Sequence, residues 1–566
     1  MQMRRVEVLS GEWAIREHGG RKWIPGKVPG NLCSNLFQGG VLEDPRMPDN
    51  LPKTYWVNDS RWDWIKRFSI DLENNNLWVL VFRGIKGRAT VRVNGVPVRR
   101  RCGISDITHL IQEDNELVVS FQKKSEKRQL NLDGIIDNVF LIGSEDVMIT
   151  LMFTYAYESN GLWHIHVELE IYSVKEMVTD CLITVQRAHE VRTETITLDL
   201  HRGFNRVTRE IPLPYVELWE PWDLGEQVIY SVRVSVVDDG TELDSTTEFV
   251  GFRRVEWTGW RLQINGKDEF IRGAEWSPPD LFLGEVDEQK YLRMLSLALN
   301  SNINLLMLST REKEDFYTIC DNLGIMVWHA TSRLTTKRSL AHPSVIILPE
   351  SGESHTGTHI ISDRPFMRNI EFVQGARSVP GFVVTRRRFT RMISSEKDLR
   401  ELVVTTQISQ ALDAQKNIEA MRLKKGQIGG IVFQKFNDAE PCISESLIDF
   451  FGGTKLAYYK LKQSYNIVIA CMKMENAEDG SLKGSLWVIN DLNVDFRKTT
   501  VQVFLAKKGE EIELFNEVVD IPKNGLFHVG DVRIPKVRKG AIVRTRITSK
   551  GYILGENNYD LGFIKK

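Results

Sequence analysis

The 566 residues carry almost no net charge: 74 Lys and Arg stand against 75 Asp and Glu, a formal balance of -1. With no excess of positive charge there is no field to gather a polyanion or an anionic membrane, so nucleic acid and membrane surfaces are not expected partners. Cysteine is sparse too. The six thiols (Cys33, Cys102, Cys181, Cys320, Cys442, Cys471) show neither paired nor metal-ligand spacing, and they read as buried free thiols in a reducing compartment. No apolar run approaches the length of a membrane span, and residues Met1 to Trp13 lack a signal core, which leads to the expectation of a cytoplasmic protein. No glycine loop suited to phosphate and no Cys–His nucleophile pair stands out, so no cofactor is expected. His355, His359 and Asp363 have a spacing that suits metal ligands on a helix, but Gly357 and the threonines beside it oppose a helix there. They read as loop residues, and no metal is expected.

What the chain does have is β-periodicity at both ends. Leu77–Phe82 is a buried run, Ala89–Val93 alternates, and Asn94-Gly95 is a hairpin turn. Residues 1–145 are thus expected to form a jelly-roll sandwich, and 146–252, with Met148–Leu151, His164–Leu169 and Tyr230–Val236, a sandwich of immunoglobulin size. After Gly251 short strands alternate with helical stripes, the grammar of parallel βα units. The strands are Phe270–Ala274, Asn304–Leu308, Ile325–Trp328, Val345–Leu348 and Gly430–Phe433. Between them, Leu292, Leu295 and Leu299 stripe one helix, and Phe316, Ile319, Cys320 and Leu323 stripe another that Gly324 closes. A long helix spans about Glu396 to Lys425, and a last one Lys455 to Lys462. Residues 253–470 therefore form an α/β region, and 471–566 return to a β-sandwich. Fourteen tryptophans are many for this length; indole faces suit sugar stacking, although most such rings fill sandwich cores.

The order of local motifs resembles glycoside hydrolase family 2, in wording closest to its β-mannosidase branch. The resemblance runs from Val28-Pro29-Gly30 and Trp62-Asp63-Trp64 through Leu218-Trp219-Glu220-Pro221 and Gly251-Phe252-Arg253. It continues in Arg272-Gly273-Ala274-Glu275-Trp276, in Cys320-Asp321-Asn322-Leu323-Gly324 with Ile325-Met326-Val327-Trp328, in His342-Pro343-Ser344, and in Gln434 with Asn437-Asp438. It implies a retaining exo-glycosidase in which Glu353, after the strand that follows His-Pro-Ser, is the general acid and base, and Glu371 of Ile370-Glu371-Phe372 is the nucleophile. Trp276, Trp328 and Phe433 would wall the sugar subsite, with Glu275 and Gln434 beside them. The partner implied is a carbohydrate, a β-mannoside or related β-glycoside.

The sequence departs from that pattern. Only 18 residues separate Glu353 from Glu371, too few for the βα units that a complete eight-stranded barrel places between its fourth and seventh strands. The barrel is therefore expected to be shortened: either the remaining strands close a smaller or open sheet, or another copy of the chain covers the gap. Glu275 replaces an asparagine and Phe433 a tryptophan. A further carboxylate beside the pair would raise the pKa of its neighbours unless Glu275 itself stays protonated or pairs with Arg272 or Arg311. The alternative reading is an inactive relative that serves as a carbohydrate-binding or structural protein.

Overall fold

A computed structural model describes residues 5–561 apart from 48, 73–75, 101–102, 126–128, 260, 331–336, 347–369, 375–395, 443, 508 and 537–539. The strands from Arg5–Val8 to Val139–Ser144 build a sandwich of a four-stranded and a six-stranded antiparallel sheet with a small third sheet. Trp13, Trp62, Trp64, Trp78 and Phe121 fill its core. The Asn94-Gly95 turn lies where expected: both residues take positive φ (50° and 82°), and Val93 pairs with Val96 across it. Strands from Val147–Ser159 to Thr241–Val250 form a second sandwich of three and four strands. A third, again of three and four strands, runs from Val468–Asn476 to Tyr552–Asp560.

Between the second and third sandwiches lies the α/β region, and its elements are numbered here: β1 (Ile271–Trp276), α1 (Glu288–Asn300), β2 (Leu305–Leu308), α2 (Glu314–Leu323), β3 (Met326–His329), β4 (Ile370–Gln374), α3 (Glu396–Arg422), β5 (Gly430–Gln434) and α4 (Leu456–Ser464). The five strands are all parallel, in the order β3-β2-β1-β5-β4. Val345 extends the sheet by bridging Val327 on the far side of β3. First and last strands are thus neighbours, the arrangement of a barrel seam rather than of a sheet grown outward from one edge.

Local chemistry accounts for these elements. Asp287 accepts the Lys290 N–H and caps α1. Gly324 ends α2 in the left-handed region (φ 71°), which a residue with a side chain adopts at a cost. The α1 stripe is rotated from its expected place: Tyr291, Met294, Leu295 and Ala298 are buried, while Leu292 is 46% exposed. Leu292 is one position off the face that meets the sheet, and Tyr291 takes that place because its hydroxyl finds a buried acceptor, Glu312.

The His342-Pro343-Ser344 motif is explained by Asp321. Its carboxylate meets His342 Nδ1 at 2.6 Å and accepts the Ser344 N–H at 2.9 Å, while its carbonyl accepts the Trp219 indole N–H at 2.8 Å. Gly251 is needed opposite, since a Cβ there would come within 2.7 Å of Pro343. Glu314 meets the other imidazole nitrogen at 3.1 Å. Burial alone would lower the His342 pKa, but Asp321 and Glu314 outweigh it and hold the value up at about 10. For Glu314 burial acts upward, and His342 with Arg338 brings its pKa down to about 2. A raised histidine contributes stability that is complete below its unfolded pKa of about 6.5 and is lost as pH rises through 10; a depressed glutamate contributes stability that is lost as pH falls toward 2. Urea unfolding should therefore show at least ~1 kcal/mol more stability at pH 6 than at pH 9.5 from this cluster. In His342→Gln that difference should shrink, and an unchanged pH profile would contradict the assignment.

A second polar cluster joins three domains. Arg272, fully buried on β1, donates to the Asp491 carboxylate of the third sandwich at 3.1 Å and to the Asn302 carbonyl at 3.1 Å, and it pairs with Asp223. Arg422, the last residue of α3, and Lys425, just after it, also bind Asp491. Burial acts against ionisation of Asp491, and the three cations overcome it, holding the carboxyl well below its ordinary range.

Candidate functional site

In a parallel βα barrel, chemistry gathers where the C-terminal ends of the strands meet on the inner face. Alternation along each strand assigns the faces. Ala274 and Trp276 of β1, Leu306 and Leu308 of β2, Val327 of β3, and Ile431 and Phe433 of β5 pack with the helices. Ile271, Leu305, Met307, Met326, Trp328 and Val432 form a separate cluster on the opposite face. Gly273 belongs to that second face, since a Cβ there would touch Leu305 and Val432. Two residues on, at the strand end, stands Glu275.

The inner rim therefore holds Glu275, Met307, Trp328 and Gln434. Met307 pairs in register with Glu275 on one side and with Trp328 on the other, and Gln434 follows Val432 by two residues on β5. Ser309, at the end of β2, donates its hydroxyl to Glu275 Oε1 at 2.9 Å, and the Glu275 carbonyl accepts the Phe436 N–H at 2.7 Å. Glu275 is part-buried, Trp328 is 5% exposed, and Gln434 is part-buried. Of the residues singled out from sequence, the structure brings these three together.

Two others go to the opposite face. Trp276 is 1% exposed, stacks on Phe436 with ring centroids 5.8 Å apart, and donates its indole N–H to Glu312 at 2.9 Å. Phe433 is fully buried with the same helix-facing cluster. Neither ring can wall a subsite on the inner face. The strands of a parallel sheet are apolar on both sides, so their sequence gives no polarity from which the inner face could be told. Of the two arginines named as possible partners of Glu275, Arg272 is taken up elsewhere: its guanidinium is bound to Asp223 and Asp491.

Glu353 lies outside the described residues, as do His355, His359 and Asp363. Glu371 is placed by its backbone: it is the second residue of β4 and pairs with Ile431, three residues before the Gln374–Gln434 pair at the rim. Among the described residues no group of three His, Cys, Asp or Glu side chains is arranged to hold a metal ion, and no helix is long and apolar enough to cross a membrane.

Sequence reading missed Ser309 as a partner and Glu312 as a buried acid. Burial pushes Glu312 up to about 7, while hydrogen bonds from Tyr291 (2.6 Å) and Trp276 hold it down. A Glu that follows an apolar strand after Ser309-Thr310-Arg311 and stands ahead of Lys313-Glu314 looks like a solvated loop residue, so nothing local announced it. His329, next to Trp328, points to the helix side, with Nε2 3.0 Å from the Tyr317 hydroxyl; burial, with Arg311 nearby, lowers its pKa to about 4.

Comparison with known proteins agrees with this architecture. Residues 13–134 match the glycosyl hydrolase 2 galactose-binding domain-like family, and 145–253 match glycosyl hydrolases family 2. A β-mannosidase of Capra hircus is 26% identical over 390 residues, covering 56% of this chain and 44% of that protein. β-Mannosidase B of Thermothelomyces thermophilus is 24% identical over 388 residues, 58% and 45% of the two chains. The chain thus spans about half the length of the curated relatives it matches. Among solved structures, a β-D-mannosidase from Dictyoglomus thermophilum superposes with a TM-score of 0.78 at 19% identity, covering 98% of this chain and 89% of that one. An exo-chitosanase from Amycolatopsis orientalis gives 0.74 at 16% identity, with 98% and 85% covered.

Proposed function

We propose that the chain is a β-mannosidase-like protein of glycoside hydrolase family 2 and a retaining exo-acting β-glycosidase, with a terminal β-mannoside or related sugar as substrate. The observation that carries the reading is the inner rim, where a carboxylate, an amide and an indole (Glu275, Gln434, Trp328) share one layer at the C-terminal ends of parallel strands. Such a mix of hydrogen-bonding groups and one apolar ring is what orients a sugar. Glu353 is the proposed acid and base: it follows Val345, which lies along β3, by eight residues. Glu371 is the proposed nucleophile, on the strand beside β5. In this scheme Glu353 protonates the leaving oxygen while Glu371 attacks the anomeric carbon, and Glu353 then takes a proton from the water that releases the sugar.

One observation favours a second reading, that of a non-catalytic sugar-binding relative. Glu371 pairs with Ile431 and so lies three residues, about 10 Å along the strand, before the rim where barrel catalysts normally sit. Turnover of an aryl β-mannoside separates the two. If the chain is an enzyme, Glu353→Gln and Glu371→Gln should each lower kcat by at least about 10²-fold, and the first-formed sugar should retain its anomeric configuration by NMR. Sugar binding without turnover in the wild-type chain would establish the second reading instead.

A further inference from the structure

The backbone pairing of the barrel seam stops just short of the rim. The register between β1 and β5 runs from Ile271 and Gly430 to Ala274 and Phe433, and Glu275 and Gln434 are the next residues along each strand. Past that point the Phe436 N–H reaches the Glu275 carbonyl at 2.7 Å, and the Leu281 N–H reaches the Ala439 carbonyl at 2.8 Å. Between these two bonds stands a side chain. The Asn437 amide donates to the Ser277 carbonyl at 2.7 Å and accepts the Ser277 N–H at 3.2 Å. Because an amide side chain carries both a donor and an acceptor, it takes the place of the peptide group that a longer strand would have offered.

The sequence explains why a side chain is used. Pro278 and Pro279 have no N–H, so Ser277 is the one residue between Trp276 and Asp280 with a backbone donor, and a residue before proline is held extended. Asn437 is 0% exposed, and its own loop fixes it. The next residue, Asp438, accepts the Ser444 and Ser446 hydroxyls at 2.7 and 2.6 Å and pairs with Lys435 at 2.9 Å, while its N–H donates to the Ile448 carbonyl at 3.2 Å. A rigid anchor on the loop after β5 thus sets where the end of β1 lies.

We propose that Asn437 is a positioning residue that holds the ends of β1 and β5 at the spacing at which Glu275 and Gln434 engage one sugar together. The proposal rests on the reading that the inner rim receives a sugar, and it deepens that reading by assigning what sets the width of the rim. Asn437 acts through Ser277, two residues beyond Glu275 on the same chain, and through its own place three residues beyond Gln434. Such control matters because hydrogen bonds to a ligand tolerate displacements of only about 0.5 Å.

Calorimetric binding of methyl β-mannoside to the full chain tests this without requiring turnover, in the wild type, Asn437→Ala, Gln434→Ala and the double variant. Each single change should weaken binding by at least about 10-fold. The double variant should be weaker than the worse single by no more than about 2-fold, because a Gln434 that is already misplaced has little left to lose. A merely structural Asn437 would instead cost the same factor with and without Gln434. Asn437→Asp provides a variant of the same size should the alanine not fold: at pH 7 it still accepts the Ser277 N–H but sets a carboxylate against the Ser277 carbonyl, and it too should weaken binding at least about 10-fold. Unchanged affinity in the Asn437 variants, or equal factors lost in the two backgrounds, would overturn the proposal and leave the sugar-receiving rim standing. Gln434→Ala that binds as the wild type does, or a wild type that binds no sugar, would overturn the rim reading as well.

Discussion

Asp491→Ala should cost at least about 3 kcal/mol of stability, because removing one partner from a buried ionic cluster strands the charges that remain. Three cations depend on this carboxylate. Arg272 and Arg422 are fully buried, and Lys425 Nζ lies 2.6 Å from Asp491 Oδ1. Asp223 would still serve Arg272, and the Ser464 and Asn466 carbonyls would still accept from Arg422, so the loss falls short of three unpaired ions. The site joins β1, the end of α3 and the third sandwich, and the expected signature is therefore a lower urea midpoint for the α/β region and the third sandwich together. The isosteric Asp491→Asn keeps hydrogen-bonding capacity and loses the charge. It should fall between wild type and alanine, and a variant as stable as the wild type would show that the cluster contributes nothing net.

Trp276→Ala should also cost about 3 to 5 kcal/mol, the range for emptying a large aromatic site in a packed core. The ring is 1% exposed between Phe316 and Phe436, and its N–H is one of two hydrogen bonds that the Glu312 carboxylate receives among the described residues. The variant thus leaves both a cavity and a half-satisfied buried acid. Denaturation measures the loss, and sugar affinity measured well below the melting temperature discriminates the roles. Trp276→Phe, which retains most of the ring, should bind a methyl glycoside as the wild type does. A drop in affinity with stability intact would return Trp276 to the sugar-facing side.

How far the sequence was legible follows from where polarity and turn chemistry leave a mark. The Asn94-Gly95 hairpin, the Gly324 cap and the strand at Gly430 were readable because each depends on residues adjacent in the chain. The alternation of βα units was readable for the same reason. The faces of β1 and β5 were not: Trp276 and Phe433 alternate with Gly273, Glu275 and Val432 in strands that are buried on both sides, and only the three-dimensional packing shows which side meets the helices. The partner of Arg272 was beyond local reading too, since Asp491 lies 219 residues away. Glu275 was singled out as an unusual charge, but its hydrogen bond with Ser309 depends on the ends of two neighbouring strands coming side by side.

Arg272 reaches outward from the first strand of the α/β region to anions supplied by the segments before and after it. An excised piece confined to residues 253–470 would keep Arg272 and Arg422 but neither Asp223 nor Asp491, and would have to solvate or bury them bare. The α/β region is therefore not an independent module that could be transplanted or expressed alone; its smallest self-sufficient unit includes both flanking sandwiches.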